Sequence, residues 1–230
     1  EALTALLEQH FSELRANQEA IGDNLYRQLE ALHAITSILP VRYPLPPMRG
    51  WAISPDFGSL LVAEIHDKKP HVVMELGSGV STLLIAYCLE RLGRGRVVAY
   101  DHDADYCAKT RDNIKRHALD RFAEVVHAPL TKVQLGEDRW DWYDTTRIET
   151  GEKTDLLVID GPPGQIQALS RYPALPLLYK QLAGKAVILL DDAARSDEKL
   201  IVDRWTGEFT DLSHEYLALE KGASILRRKQ

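Results

Sequence analysis

The feature that most constrains this chain is a set of short apolar runs with helix-length stretches between them. "HVVMEL" (71–76), "RVVAYD" (96–101), "AEVVHA" (123–128), "DLLVID" (155–160) and "AVILLDD" (186–192) are rich in Val, Ile and Leu. Helical stretches near 80–92, 104–118, 170–183 and 195–206 alternate with them. Apolar strands separated by helices predict a parallel sheet covered on both faces. After the last helix the pattern changes: "HEYLAL" and "GASILRRK" flank Glu220, Lys221 and Gly222, which reads as a closing antiparallel hairpin. The expected fold is α/β, a Rossmann-like, mostly parallel sheet of seven strands with an antiparallel C-terminal hairpin.

At 230 residues the chain suits one sizeable core with an appendage better than two full domains. A net charge of −6 offers no basic stripe for tracking a phosphate backbone, so nucleic acid is not an expected partner. No window carries the uncharged apolar length needed to span lipid. Cys88 and Cys107 lack metal-type spacing and are too few for a disulfide framework, so they read as reduced thiols of a cytoplasmic protein. Residue 1 is Glu, which leaves room for a segment or anchor trimmed upstream.

Three regions are expected. Residues 1–39 form an amphipathic, coiled-coil-like helix, 40–70 a Pro-rich connector with a capping helix, and 71–230 the main domain. In the first, Phe11, Leu25, Leu32 and Leu39 at a and Leu7, Leu14, Ile21 and Ile35 at d make a seam broken only by Thr4, Gln18 and Gln28. The seam favours self-association into a homo-oligomer; the alternative is one helix lying on the domain's own core. Prolines 40, 44, 46 and 47 end that helix. Ser54 then reads as a cap, with Pro55 at the first helical position and Asp56 in the first turn. Arg49 and Trp51 precede the cap in a segment that can fold over a pocket; plain packing is the other reading of Trp51. Residues 129–153 form one long insertion, in which Trp140, Trp142 and Tyr143 are candidate pocket walls.

In an open parallel sheet, ligands sit beyond the carboxyl ends of the strands. The first strand ends in Glu75-Leu76-Gly77-Ser78-Gly79, a turn that lets a ligand approach backbone closely. The dinucleotide fingerprint wants another glycine at 82, where this chain has Thr82. The second strand ends at Asp101, where an acid can accept hydrogen bonds from both ribose hydroxyls. Acids at the ends of both strands around a glycine turn describe a nucleoside site that does not cradle phosphates, and S-adenosylmethionine fits it.

The series "ELGSGVSTLL", "AYDHDADY", "LLVIDGPPG", "RYPALPLLYKQL" and "VILLDDAARSDEKLIVDRW" resembles the motifs of class I S-adenosylmethionine-dependent methyltransferases. More narrowly it is similar to a bacterial group acting on small molecules or glycans, over about Arg49 to Arg228. The resemblance implies that Glu75, Gly77, Ser78 and Gly79 surround the methionine portion and that Ser81 and Thr82 open the following helix. It also implies that Asp101 takes the ribose with His102 beside it, and that Ala128 to Leu130 lie near the adenine. The third glycine usual in the first motif is Ser81 here.

Methyl transfer is an in-line displacement, and an alcohol acceptor must also lose its proton. Asp160 ends the fourth strand, and Asp191 and Asp192 end the fifth. Three carboxylates at one rim need something positive between them, and their hard oxygens suit Mg²⁺. The arrangement is similar to that of metal-dependent O-methyltransferases, with Asp160 and Asp191 as catalytic candidates and Asp160, Asp191 and Asp192 as metal ligands. The other reading is that Asp191 or Asp192 caps a helix and that Asp160 contacts the cofactor. His102 and His127 are alternative bases, and Arg171, Arg195 and Lys199 could grip an acceptor. In "DGPPG", Gly161 and Gly164 depart from the pattern of enzymes that methylate base amino groups. The expected function is O-methylation of a small molecule or carbohydrate. An aminopropyltransferase-like enzyme and a non-catalytic coiled-coil scaffold with a ligand-binding domain are the alternatives.

Overall fold

The computed structural model describes residues 2–148 and 151–229; Glu149 and Thr150 of the expected insertion lie outside the described residues. Helix α1 (Ala2–Ile38) is followed by an extended connector and by α2 (Pro55–Lys68). Then come β1 (Val72–Leu76), α3 (Val80–Leu92), β2 (Arg96–Asp101), α4 (Ala104–Arg116) and β3 (Ala123–His127). The second half comprises β4 (Leu130–Leu135), β5 (Asp138–Tyr143), β6 (Thr154–Ile159), α5 (Ala174–Leu178), β7 (Leu182–Asp191), α6 (Ser196–Glu208), β8 (Leu212–Leu217) and β9 (Ala223–Arg228).

The main sheet has the order β3-β2-β1-β6-β7-β9-β8, with β9 antiparallel to both β7 and β8 and all other pairs parallel. All five residues of β1 are buried, as a central strand covered by helices on both faces requires. One core layer packs α2, α3 and α4 on the sheet through residues such as Phe57, Leu61, Leu84 and Tyr87. The other packs α5, α6 and β5 on the opposite face around Trp142, Leu175 and Trp205. Register sets the working edge. Leu76 pairs with Tyr100 and Ile159, and Ile159 pairs with Leu190. The residues that follow, Gly77, Asp101, Asp160 and Asp191, therefore emerge at one rim.

Three elements differ from expectation. The stretch 170–183 holds only the five-residue α5 and a 3-10 turn at Tyr179–Gln181. Pro173 and Pro176 lack the N–H groups a longer helix needs, and β7 begins as early as Leu182. The insertion is not an open loop, because β4 and β5 pair antiparallel from Leu130↔Tyr143 to Leu135↔Asp138. Ser54 is extended, with φ −75° and ψ 156°, yet its hydroxyl donates to Asp56 Oδ1 at 2.5 Å instead of accepting a helix N–H.

Helix α1 lies on its own domain only toward its C-terminal end. There Ile35 is buried and Gln28 Nε2 donates to Asp56 Oδ2 at 2.8 Å. Farther up, Leu7, Phe11, Leu14, Ile21 and Leu25 are 50% to 70% exposed, so the seam is bare. No helix among the described residues is long and apolar enough to cross a membrane.

The β8–β9 hairpin closes on Gly222, at φ +72°, where an added Cβ would fall 2.5 Å from the Ala194 backbone nitrogen. Gly222→Ala should cost on the order of 1–3 kcal/mol. The thermal midpoint should fall by roughly 2–12 °C; an unchanged midpoint would show that the hairpin yields without strain.

Candidate functional site

The sheet changes winding direction at β1, with β2 and β3 on one side and β6 and β7 on the other. Ligands bind at such a switch point. A cavity of about 670 Å³ opens there, walled by Gly77, Ser78, Gly79, Ser81, Asp101, His102, Tyr143, Asp160 and Gly161, and on the far side by the connector through Trp51.

Gly77 is at φ +105°, a conformation that favours glycine, and its N–H donates to Tyr100 O at 2.8 Å. At Gly79 an added Cβ would meet nothing within 4 Å, so the backbone there faces open space. Glu75 and Thr82 do not reach the cavity wall. They shape the turn from behind: Thr82 Oγ1 donates to Glu75 Oε2 at 2.6 Å and accepts the Gly79 N–H at 3.1 Å. Burial pushes the Glu75 carboxyl up to about 7, against the pull of the Ser81 and Thr82 hydroxyls and with a smaller push from Asp101. Its Oε1 has no hydrogen-bond partner.

Asp101 is buried at the end of β2. It accepts from Ser78 Oγ at 2.7 Å and from the Asp103 N–H at 3.0 Å, and His102 Nδ1 stands 3.5 Å from its Oδ1. The glycine turn and the acid of β2 are thus tied together. Ala128, by contrast, is fully buried and absent from the cavity wall; its N–H continues the sheet by donating to Asp101 O at 2.8 Å.

The three aspartates converge, with one carboxylate oxygen from each of Asp160, Asp191 and Asp192 lying within 4.8 Å of the others. Only Asp160 reaches the cavity wall. A cation already stands among them. Arg171, buried, donates from one terminal nitrogen to Asp192 Oδ2 at 2.8 Å and to Asp160 Oδ1 at 3.3 Å, and from the other to Asp191 O at 2.8 Å. Its Nε lies 3.8 Å from Glu198. Arg195 adds a second guanidinium from the exposed side, 3.0 Å from Asp192 Oδ2, yet the carboxyls of Asp160 and Asp191 still hold their protons more tightly than usual. Burial first, and then the charge of Asp191, push Asp160 well above the carboxylate range in spite of Arg171. Burial and the Asp192 charge push Asp191 up to about 6. Both Asp191 carboxylate oxygens lack a hydrogen-bond partner.

Other candidates fall elsewhere. Trp140 and Trp142 are buried in the core, leaving Tyr143 as the wall residue of β5. A Cβ at Gly161 would collide with the Tyr143 hydroxyl, which accounts for a glycine there. Arg195 pairs with Asp192 at 3.0 Å. Lys199 is exposed and away from the cavity, and His127 Nε2 lies 3.1 Å from His102 O. Sequence reasoning missed the α4 face of the cavity, where Tyr106, Lys109, Thr110 and Asn113 line it. It also missed the place of Arg171 inside the acid cluster.

A family described as a methyltransferase domain matches residues 74–193. No curated protein sequence matches the chain. Among solved structures, the chain is similar to an S-adenosylhomocysteine-bound methyltransferase of Podospora anserina, with a TM-score of 0.60, 16% identity and 88% of each chain covered. It is also similar to an O-methyltransferase of Bacillus cereus in complex with S-adenosylhomocysteine, with a TM-score of 0.59, 19% identity and coverage of 93% of this chain and 97% of that one. A third is the O-methyltransferase TomG of Streptomyces achromogenes, involved in tomaymycin synthesis and bound to S-adenosylmethionine. There the TM-score is 0.58 and identity 14%, with 88% and 89% covered.

Two outcomes follow from the buried charges. A carboxyl raised from 4.5 to about 7 contributes stability that is present below its unfolded value and lost as pH rises through 7. Relative to wild type, Glu75→Gln should therefore gain about 3 kcal/mol between pH 4.5 and pH 8. Urea melts of ligand-free protein across that range read the gain; a flat difference would mean that Glu75 titrates normally. Arg171→Met strands Asp160 and Asp192 without a counter-charge and should destabilise by about 3–5 kcal/mol in the same melts.

Proposed function

The chain belongs to the methyltransferase-domain family, and we propose that it transfers the methyl group of S-adenosylmethionine to a hydroxyl of a small molecule or carbohydrate. The observation that carries this reading is one cavity faced at once by the Gly77–Gly79 backbone, Asp101 and Asp160. The cofactor supplies, when bound, a methyl group on a positively charged sulfur. Backbone at Gly77 and Gly79 lets its methionine end approach, and Asp101, already oriented by Ser78 and the Asp103 N–H, accepts from the ribose hydroxyls. His102 and Ser81 complete that wall, while Glu75 and Thr82 hold the turn in shape.

Asp160 is the residue of the acid cluster that can touch an acceptor, and we assign it the proton. The Asp160 carboxylate, which Arg171 anchors through Oδ1, would take the proton of the acceptor hydroxyl as the methyl group exchanges its bond to sulfur for one to the acceptor oxygen, leaving S-adenosylhomocysteine. A divalent ion fits the cluster as well: three hard oxygen donors lie close together, and the unpartnered Asp191 oxygens need a positive neighbour. Asp160, Asp191 and Asp192 would hold it. Mg²⁺ there would act as a Lewis acid on the acceptor oxygen. Cytoplasmic residence is in keeping with the two free, buried cysteines, and the bare seam of α1 supports assembly with a second copy.

The test is a calorimetric titration with S-adenosylhomocysteine on wild type and Asp101→Ala, each with Mg²⁺ and with EDTA. Wild type should bind, and the variant should lose at least tenfold in affinity. No binding to wild type in either condition would remove this reading. In a screen of alcohols and sugars, Asp160→Asn should lower kcat by 10²-fold or more while leaving product-nucleoside binding intact; undiminished turnover would place the proton elsewhere.

A further inference from the structure

The connector that roofs the cavity is held as a rigid strap. At its start, the Arg42 N–H donates to the Tyr87 hydroxyl at 2.9 Å, and the Arg42 guanidinium grips Glu90 at 2.8 and 3.0 Å and His117 O at 2.8 Å. Prolines 44, 46 and 47 restrict the backbone that follows. At its end, Asp56 is tied to Ser54, to Gln28 and to the Glu220 N–H. In between, Lys221 of the β8–β9 turn reaches across, and its Nζ donates to Gly50 O at 2.8 Å and Ala52 O at 2.7 Å. The strap is thus fixed on both sides of Arg49 and Trp51.

Those two side chains are left unused by the fold. Among the described residues the Arg49 guanidinium has no hydrogen-bond or ion-pair partner, and Trp51 is 65% exposed although it lines the cavity. On α4, Lys109 lines the same cavity, lies over the Tyr106 ring at 4.8 Å and makes no ion pair within 4 Å among the described residues. Three acids also line the cavity: Asp101 is engaged by Ser78, Asp160 by Arg171, and Asp103, near enough to Lys109 to feel its charge, by the N–H groups of Asp105 and Tyr106 that it caps. The chain as a whole carries −6, so two cations without an ion-pair partner among the described residues in one cavity wall run against the general charge. A cation held on a pre-formed strap loses little freedom on meeting an anion, and an indole face beside it suits the apolar face of a sugar or a planar ring.

We infer that the acceptor is anionic: a hydroxyl compound bearing a phosphate or carboxylate, gripped by Arg49 and Lys109 and packed on Trp51. The inference rests on the methyl-transfer reading and names the class of acceptor for that same cavity. The hydroxyl faces Asp160, and the anionic group faces the strap, so the acids and the cations serve opposite ends of one molecule.

The test uses the full chain saturated with S-adenosylhomocysteine, titrated by calorimetry with D-galactose, D-galacturonate and D-galactose 1-phosphate, with inorganic phosphate as a fourth arm. At least one of the two charged sugars should bind at least tenfold more tightly than galactose. The two charged arms separate carboxylate from phosphate recognition, and phosphate alone should bind more weakly than the sugar phosphate. Arg49→Ala should weaken the charged sugar by tenfold or more and Lys109→Ala by several-fold. Both variants should bind S-adenosylhomocysteine like wild type, and Lys185→Ala, away from the cavity, should change nothing. Charged and neutral sugars bound alike, no charged sugar bound, or charged-sugar binding indifferent to Arg49→Ala would each overturn the inference. Loss of S-adenosylhomocysteine binding by wild type would instead sink the methyl-transfer reading beneath it.

Discussion

The buried guanidinium of Arg171 is the contact on which the working edge of this protein depends. Parallel register delivers the ends of β6 and β7 to the same height, and that alone brings three carboxylates together in a place with little water. Mutual repulsion in such a setting would force protons on or push the loops apart. Arg171 holds the loops together and opposes the uptake of protons without abolishing it, because its fork reaches the backbone oxygens of Asp160 and Asp191 as well as the side chains of Asp160 and Asp192. It is a structural tie between two strand ends and a local charge at once. It leaves the cluster short of neutral.

The glycine turn follows a similar economy of parts. Glu75 looks from its place in the chain like a ligand residue, but it lies behind the turn and works through Thr82 on the Gly79 N–H. Ser78 plays the opposite part, bridging the turn to Asp101 on the next strand. This wall of the cavity is therefore pre-formed by short hydrogen bonds between motifs that are far apart in sequence.

Much of the fold was legible because apolar parallel strands leave a strong mark, and because prolines and glycines punctuate the chain where the elements end. What was not legible depended on tertiary context. Trp140 and Trp142 advertise a pocket wall, yet only a paired β4–β5 hairpin laid over the sheet decides that they face the core and that Tyr143 faces the cavity. The need for a cation among Asp160, Asp191 and Asp192 was readable from charge alone. That Arg171 supplies one was not, since Arg171, Arg195 and Lys199 look alike in the chain and differ only in burial. The heptad of α1 marks a seam, but periodicity does not say what covers it. The role of Lys221 left no local trace at all, because its partners are Gly50 and Ala52.

That last contact bears on how the protein comes into being. The strap and the lysine that secures it are 169 and 171 positions apart, near opposite ends of the chain. Synthesis runs from the N-terminus, so α1, the strap and the glycine turn emerge long before the hairpin that completes the roof. The glycine turn can take shape before the β8–β9 hairpin has left the exit tunnel, whereas the strap stays unsecured until Lys221 arrives to hold Gly50 and Ala52.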